Sequence, residues 1–116
     1  MTPEQLRGRT KDFALRIIKL FRSLPRSPEA QVIGKQLLRC GTSVGANYRA
    51  VCRSRSKAEF ISRLGIVVEE ADESAFWLEL LIETGTFKKE QIESLLEEAR
   101  QLTALFNASR TTTRRS

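Results

Sequence analysis

The stretch that decides the fold is Gly34–Ser56, GKQLLRCGTSVGANYRAVCRSRS. Apolar side chains recur through it every three or four residues, which is the period of an α-helix. They are Ile33, Leu37, Cys40, Val44, Tyr48 and Val51. Gly34, Gly41 and Gly45 follow one flank of this apolar stripe, although each costs a helix about 0.5–1 kcal/mol relative to alanine. The pattern predicts one long helix against which another backbone packs closely; a break near Cys40–Gly45 is the alternative.

The opposite side of the same helix is basic. The row of positive side chains, continued past the helix end, is Lys35, Arg39, Arg49, Arg53, Arg55 and Lys57. Its four members within the helix fall in an arc of about 80°, since each residue turns an α-helix by about 100°. Such a row can meet phosphates without reading bases. We therefore take these six residues as the candidate nucleic-acid-binding surface; an ordinary solvated helix face is the alternative.

Start and stop signals divide the rest of the chain into three more helices. Helix 1 begins at Thr2–Pro3 and ends at Leu24–Pro25, helix 2 begins at Ser27–Pro28, helix 3 runs from the capping box Ser56–Glu59 to Gly85, and helix 4 begins between Phe87 and Glu90. Gly8 is a point at which helix 1 could be interrupted. Four helices with short connections predict an all-α, antiparallel up-down-up-down four-helix bundle over residues 1–109. Residues 110–116 are predicted to be a basic disordered tail.

Helix 3 is apolar on more than one face. Beside its main stripe it carries Ile66, Phe76, Trp77, Leu80 and Leu81. A helix that is apolar on two faces is buried on two faces. In a chain of 116 residues the second face most simply meets another subunit, and we take Ile66, Phe76, Trp77 and Leu80 as the candidate oligomer interface. The alternative is a central helix 3 surrounded by the other three.

The charge of the chain is uneven. The formal net charge is +6, but residues 1–57 hold 13 of the 20 Lys and Arg and only 3 of the 14 Asp and Glu. A basic half suggests nucleic acid or an acidic partner. The alternative is that the basic half faces the acidic half inside the bundle or across a subunit contact.

Several classes of function are disfavoured by what the chain lacks. It contains no histidine, which removes the commonest general base and metal ligand, so we expect no enzyme, no catalytic residues, no metal and no cofactor. Asn47 with the acidic run Glu69–Glu73 could hold a metal, but pairing with Arg39, Arg49 or Arg63 is the simpler interpretation.

The cysteines and the amino-terminal segment point to a compartment. Cys40 and Cys52 would lie about 18 Å apart on one helix, too far for a disulfide, so we expect buried free thiols. No apolar run reaches 18 residues and no signal-peptide core precedes helix 1, so we expect no membrane partner and a cytoplasmic location.

Four segments resemble a known bacterial family. They are Thr42–Arg49, Arg55–Phe60, Glu69–Ser74 and Trp77–Leu81, and they are similar to the four-helix-bundle family named after proteins encoded in intervening sequences of 23S ribosomal RNA genes. The resemblance covers roughly Phe13 to Phe106. The family often has an acidic residue after the segment equivalent to Gly45–Arg49, where this chain has Ala50.

The resemblance implies properties that the residues alone do not show. It implies an antiparallel four-helix bundle that assembles as a ring-shaped homopentamer. A related branch of the family is the accessory variability protein of diversity-generating retroelements, a positively charged pentamer that binds nucleic acid and a reverse transcriptase. The expected partners are therefore further copies of the chain, RNA or DNA, and a protein such as a reverse transcriptase.

Overall fold

The computed structural model describes residues 1–116 as four α-helices without strands. The helices are α1 (Pro3–Arg22), α2 (Pro28–Cys52), α3 (Lys57–Glu83) and α4 (Lys89–Arg115). They form a rod of 46 × 21 × 19 Å, and none of them is long and apolar enough to cross a membrane. The all-α prediction and the four helices are confirmed.

Contacts between neighbouring helices show that each runs antiparallel to the one before it. Residue numbers rise along one helix while they fall along its neighbour, in the pairs Thr10 with Gly45, Ile17 with Gly41, Cys40 with Ser74, Ala50 with Arg63, Gly65 with Arg110, and Glu79 with Arg100. Helix α4 returns beside α1, where Arg9 binds Glu98 and Arg16 binds Ser94. The result is an up-down-up-down bundle, closed on itself.

Helix α2 is continuous through its glycines, as predicted. A Cβ on Gly41 would lie 2.8 Å from Ile17 Cγ1, and one on Gly45 would lie 3.3 Å from the Thr10 carbonyl oxygen. At Gly34 the space that a Cβ would need is taken by Leu24, just beyond α1, and the α1 side chain of Phe21 lies 3.4 Å from that position. The glycines thus let α1 approach α2, through its side chains at Gly34 and Gly41 and through its backbone at Gly45. This packing offsets their low helix propensity.

The core runs the length of the bundle and takes large side chains from all four helices. Fully buried examples are Phe13, Leu37, Leu64 and Phe106. Thr10 and Ser74 are the buried polar residues, and each hydroxyl donates to a carbonyl one turn earlier on its own helix, at 2.8 Å. Burial of the polar groups is therefore compensated by hydrogen bonds.

The helix ends follow the predicted signals with small differences. Thr2 and Gln5 form the expected capping box, Gly8 does not interrupt α1, and Gly85 has the left-handed φ of 73°. Ser27 precedes α2 without a capping hydrogen bond from its side chain. Ser56 caps α3 through the Glu59 N–H, but the Glu59 carboxylate turns to Arg63 at 2.7 Å and leaves the box half formed.

Three expectations from the sequence differ from the structure. Helix α4 continues to Arg115 instead of ending before a tail at 110–116, because Thr113 donates to the Ser109 carbonyl and Lys57 donates to that of Ser116. Leu81 is fully buried in the core, since α3 packs against both α2 and α4 and is therefore covered on more than one face. Cys40 is buried as expected, but Cys52 is exposed near the end of α2.

Candidate nucleic-acid interface

A basic groove lies between α1 and α2 near the amino-terminal end of α1. Arg7 and Lys11 line it from α1, and Arg49 and Arg53 line it from α2. The antiparallel register places these four side chains together, because the close approach at Gly45 brings residues around Thr10 beside the second half of α2. We call Arg7, Lys11, Arg49 and Arg53 the α1–α2 groove.

Small residues also line the α1–α2 groove, between its cationic side chains. They are Gly8, Ala14, Gly45 and Ala46. Short side chains between two pairs of long cationic ones make a channel rather than a ridge. A backbone of linked phosphates could lie along such a channel with cations on both sides.

The cations of the α1–α2 groove are not neutralised within the bundle. The five ion pairs of the structure use Arg9, Arg39, Arg63 and Arg100 as their cations, and no member of the groove. Arg7 Nη1 contacts Cys52 Sγ at 3.6 Å, and Glu4 is the one carboxylate that borders the groove. The positive potential of these side chains is therefore available to an anion from solution.

Arg39, predicted for the same surface, is directed elsewhere. It forms an ion pair with Glu73 of α3 and a longer one, 3.4 Å, with Glu70. Burial raises the pKa of Glu70, and Arg39 partly opposes that rise. Trp77 donates its indole N–H to the same Glu73 carboxylate at 2.9 Å. The predicted basic stripe of α2 thus divides, with Arg39 at the α3 side and Arg49 at the α1 side.

The remaining predicted residues lie at the two ends of α2. Lys35 is exposed and makes no ion pair, but it lies about 21 Å along the helix from Arg49 at 1.5 Å per residue. Arg55 and Lys57 stand in and just after the α2–α3 turn, where they border a recess at the end of the bundle. Arg7 and Cys52 border both this recess and the α1–α2 groove, so the two are adjacent.

Arg7 and Lys11 form half of the α1–α2 groove, and the pattern within α2 did not predict them. Their assignment needs the pairing of α1 with α2, and periodicity within one helix does not supply it. The glycines of α2 do indicate this pairing. Gly45 marks where α1 comes close to α2, and the antiparallel arrangement then places early residues of α1 beside Arg49 and Arg53.

The outer face of α3 carries exposed apolar side chains. Ile66 is 43% exposed and Phe76 is 50% exposed. The rings of Phe76 and Trp77 meet edge to face with centroids 4.9 Å apart, and Trp77 also packs against the core. Leu80 is half-buried. The four residues predicted for an oligomer interface therefore divide into two that are open to solvent and two that are partly covered.

No group of three or more Cys, Asp or Glu is arranged to hold a metal ion in the structure. Of the acidic run Glu69–Glu73, Glu70 and Glu73 are engaged by Arg39. Asn47 donates its side-chain amide to the Ser43 carbonyl at 2.9 Å. These contacts fit the structural interpretation of the run, in which the carboxylates pair with arginine between helices.

Two comparisons with known proteins return a match. The family described as 23S rRNA-intervening sequence protein matches residues 5–108. A crystal structure from Bacteroides thetaiotaomicron, described as a protein of unknown function from the S23 ribosomal protein family, has 36% sequence identity and a TM-score of 0.87. The match covers 96% of this chain and 99% of that one. No curated protein matches the chain.

Proposed function

This chain belongs to the 23S rRNA-intervening sequence protein family, and from that premise we propose that it is a non-enzymatic homo-oligomer that binds the backbone of RNA or DNA. The observation that carries the proposal is the α1–α2 groove, in which four cations face solvent without acidic partners. A cytoplasmic location is part of the same proposal. Arg55 and Lys57 extend the binding surface at one end. Arg39 contributes less because it pairs with Glu70 and Glu73, and Lys35 contributes less because it lies about 21 Å along α2 from Arg49.

The mechanism we propose is electrostatic. Each phosphate neutralised by Lys or Arg releases counterions, so affinity falls steeply with salt. If four cations of one subunit engage a single strand, the slope of log K against log salt is about −3. A homopentamer, the assembly that the family resemblance implies, would repeat the groove on every subunit and steepen this dependence.

The proposal is tested by reversing charge inside the groove and, as a control, outside it. Arg49→Glu with Arg53→Glu should weaken binding of a generic RNA or DNA oligonucleotide by at least about a hundredfold, since each charge-assisted contact is worth about 1.5–3 kcal/mol. Fluorescence anisotropy across a salt series measures the loss. Arg22→Glu with Arg26→Glu makes the same change of charge at the other end of the bundle and should cost much less.

Equal losses in the two double variants would show that net charge alone governs binding, and the groove would be rejected as the site. Unchanged binding by the Arg49 and Arg53 variant would reject it directly. Circular dichroism of each variant establishes that the helices remain intact, which is expected because both arginines are exposed and unpaired.

An adaptor that binds another protein and no nucleic acid is the second candidate function. The observation that favours it is the exposure of Ile66 and Phe76 on α3, which a protein such as a reverse transcriptase could cover. A stoichiometric partner that is recovered after nuclease treatment, and is lost with Phe76→Glu, would favour this function over the first.

A further inference from the structure

A recess of about 670 Å³ opens at the end of the bundle where the α1–α2 groove stops. All four helices border it: α1 through Arg7, α2 through Tyr48, α3 through Phe60 and α4 through Thr113. Its volume lies within the range of about 300–1,000 Å³ that is usual for small-molecule sites. We call it the end recess.

The polar side of the end recess is suited to an anion. Arg7, Arg55 and Lys57 border it, and no carboxylate side chain does. The backbone N–H groups of Lys57 and Ala58, in the first turn of α3, have no partner in the bundle, and a helix amino terminus attracts negative charge. Lys57 Nζ already donates to the main-chain oxygen of Ser116, the last residue of the sequence, so a phosphate would compete with that oxygen for Lys57.

A buried hydroxyl in the same recess lacks a hydrogen-bond partner. Ser54 Oγ is shielded from solvent, and nothing in the bundle bonds to it. An unsatisfied buried hydroxyl costs about 1–3 kcal/mol, and such groups in native proteins usually have a reason. Because Oγ is closed off from the recess in this rotamer, a phosphate oxygen seated between Arg7 and Arg55 would accept its hydrogen bond only after the Ser54 side chain rotates.

The other side of the end recess is aromatic. Phe60 is half-buried and borders it together with the edge of Tyr48, whose ring packs on Phe106 with centroids 5.1 Å apart. Aromatic faces next to cations are the usual means by which proteins hold an unpaired nucleotide, stacking the base and binding its phosphate.

We infer that the end recess takes the terminal nucleotide of a nucleic-acid strand, with its phosphate monoester at Arg7, Arg55 and Lys57 and its base against Phe60 and Tyr48. The inference rests on the proposed function, because the strand lies in the α1–α2 groove. The groove and the recess share Arg7 and Cys52, and α4 borders the recess through Thr113. We therefore place the end of a strand that follows the groove in the recess.

The test compares single strands of one sequence that carry a phosphate at the 5′ end, at the 3′ end or at neither, and a circular form. We expect the intact protein to bind one phosphorylated linear strand at least about tenfold more tightly than the others, because each added charge-assisted bond is worth about that factor. Arg55→Gln with Lys57→Gln should abolish this preference, so that phosphorylated and hydroxyl-ended strands bind equally, although both bind more weakly because the two residues also extend the binding surface.

Arg26→Gln is the matched control, an exposed arginine in the α1–α2 connection at the other end of the bundle. It should leave the preference intact. Arg55→Gln alone is a second variant that should reduce the preference, since Arg55 makes no hydrogen bond on which the fold depends. Equal affinity of the intact protein for all four strands, or a preference that survives in the double variant, would overturn the inference.

A nucleoside monophosphate separates failure of the inference from failure of the proposed function. If Arg49→Glu with Arg53→Glu leaves strand binding unchanged, the groove is wrong. The end recess still stands if the monophosphate shifts the Phe60 and Tyr48 resonances and Arg55→Gln removes the shift. If the intact protein binds neither the monophosphate nor any strand in an end-dependent way, the end recess is refuted.

Discussion

Tyr48 shows how the core and the candidate site meet in one residue. Its ring lies in the core against Phe106, whereas its edge borders the end recess. Burial, followed by the neighbouring Cys52 thiol, raises the pKa of Tyr48 to about 12. The hydroxyl therefore stays neutral wherever the protein functions, and a nucleotide in the recess would meet a phenol and not a phenolate.

The raised pKa of Tyr48 predicts how stability changes in alkali. The unfolded chain ionises this phenol near pH 10 but the folded chain only near pH 12, so the contribution of Tyr48 to stability is full below pH 10 and is lost between pH 10 and pH 12. Tyr48→Phe should remove this part of the alkaline loss.

Urea unfolding of both proteins at pH 8, 10 and 11 measures the effect, with those values chosen to bracket the unfolded pKa of about 10. Tyr48 is the only tyrosine, so the tyrosinate absorbance of the folded protein reports on it directly. Appearance of that absorbance near pH 10 while the helices are intact would contradict the prediction.

At the scale of the helices, the glycines of α1 and α2 differ in what surrounds them. A Cβ on Gly8 would have nothing within 4 Å, whereas a Cβ on Gly41 would meet three atoms of Ile17 at 2.8–3.3 Å. Both residues are inside α-helices. Replacement by alanine therefore brings the same gain in helix propensity at the two positions, and only the packing around the new Cβ differs.

Gly8→Ala should raise the free energy of unfolding by about 0.5–1 kcal/mol, the usual difference between the two residues inside a helix. Gly41→Ala should lower it by about 1–3 kcal/mol, because Ile17 is fully buried and must move. Chemical denaturation of the two variants in parallel measures both changes. A stabilising Gly41→Ala would mean that α1 and α2 are not closely packed there.

Features that depend on neighbouring residues in the chain could be predicted from the sequence, whereas features that depend on how two helices pack could not. Pro28, Gly85 and the capping residues act over one turn, and they place the helix boundaries within a few residues. Arg39 shows the limit, since its pairing with Glu73 depends on how α2 lies against α3. Periodicity within one helix identified a basic stripe but not which cations a neighbouring helix would neutralise.

At the scale of the whole molecule, the positive charge of residues 1–57 is only partly neutralised by the negative charge of residues 58–116. Arg9 and Arg39 of the first half pair with glutamates of the second half, which is the neutralisation that the uneven charge allowed. The α1–α2 groove is formed by cations of the first half alone. The separation of charge along the sequence is thus kept in space at this end of the bundle, where a polyanion would be attracted most strongly.

The exposed apolar face of α3 leads to a prediction about assembly. If Ile66 and Phe76 are covered by another subunit in solution, Ile66→Glu with Phe76→Glu should lower the mass of the particle to that of a smaller oligomer or a monomer, because a charge is costly in an apolar contact. The helices should remain folded, since both side chains are 43% or more exposed within one subunit. Light scattering measures the mass.

Leu15→Glu is the matched control, since Leu15 is 54% exposed on α1 and should leave the mass unchanged if α3 provides the contact. Trp77→Glu should behave differently from both, because Trp77 packs against the core and donates to Glu73. It should lower the stability of the single subunit as well as the mass. If the Ile66 and Phe76 variant keeps the mass of the intact protein, the α3 face does not join subunits and stays available to another partner.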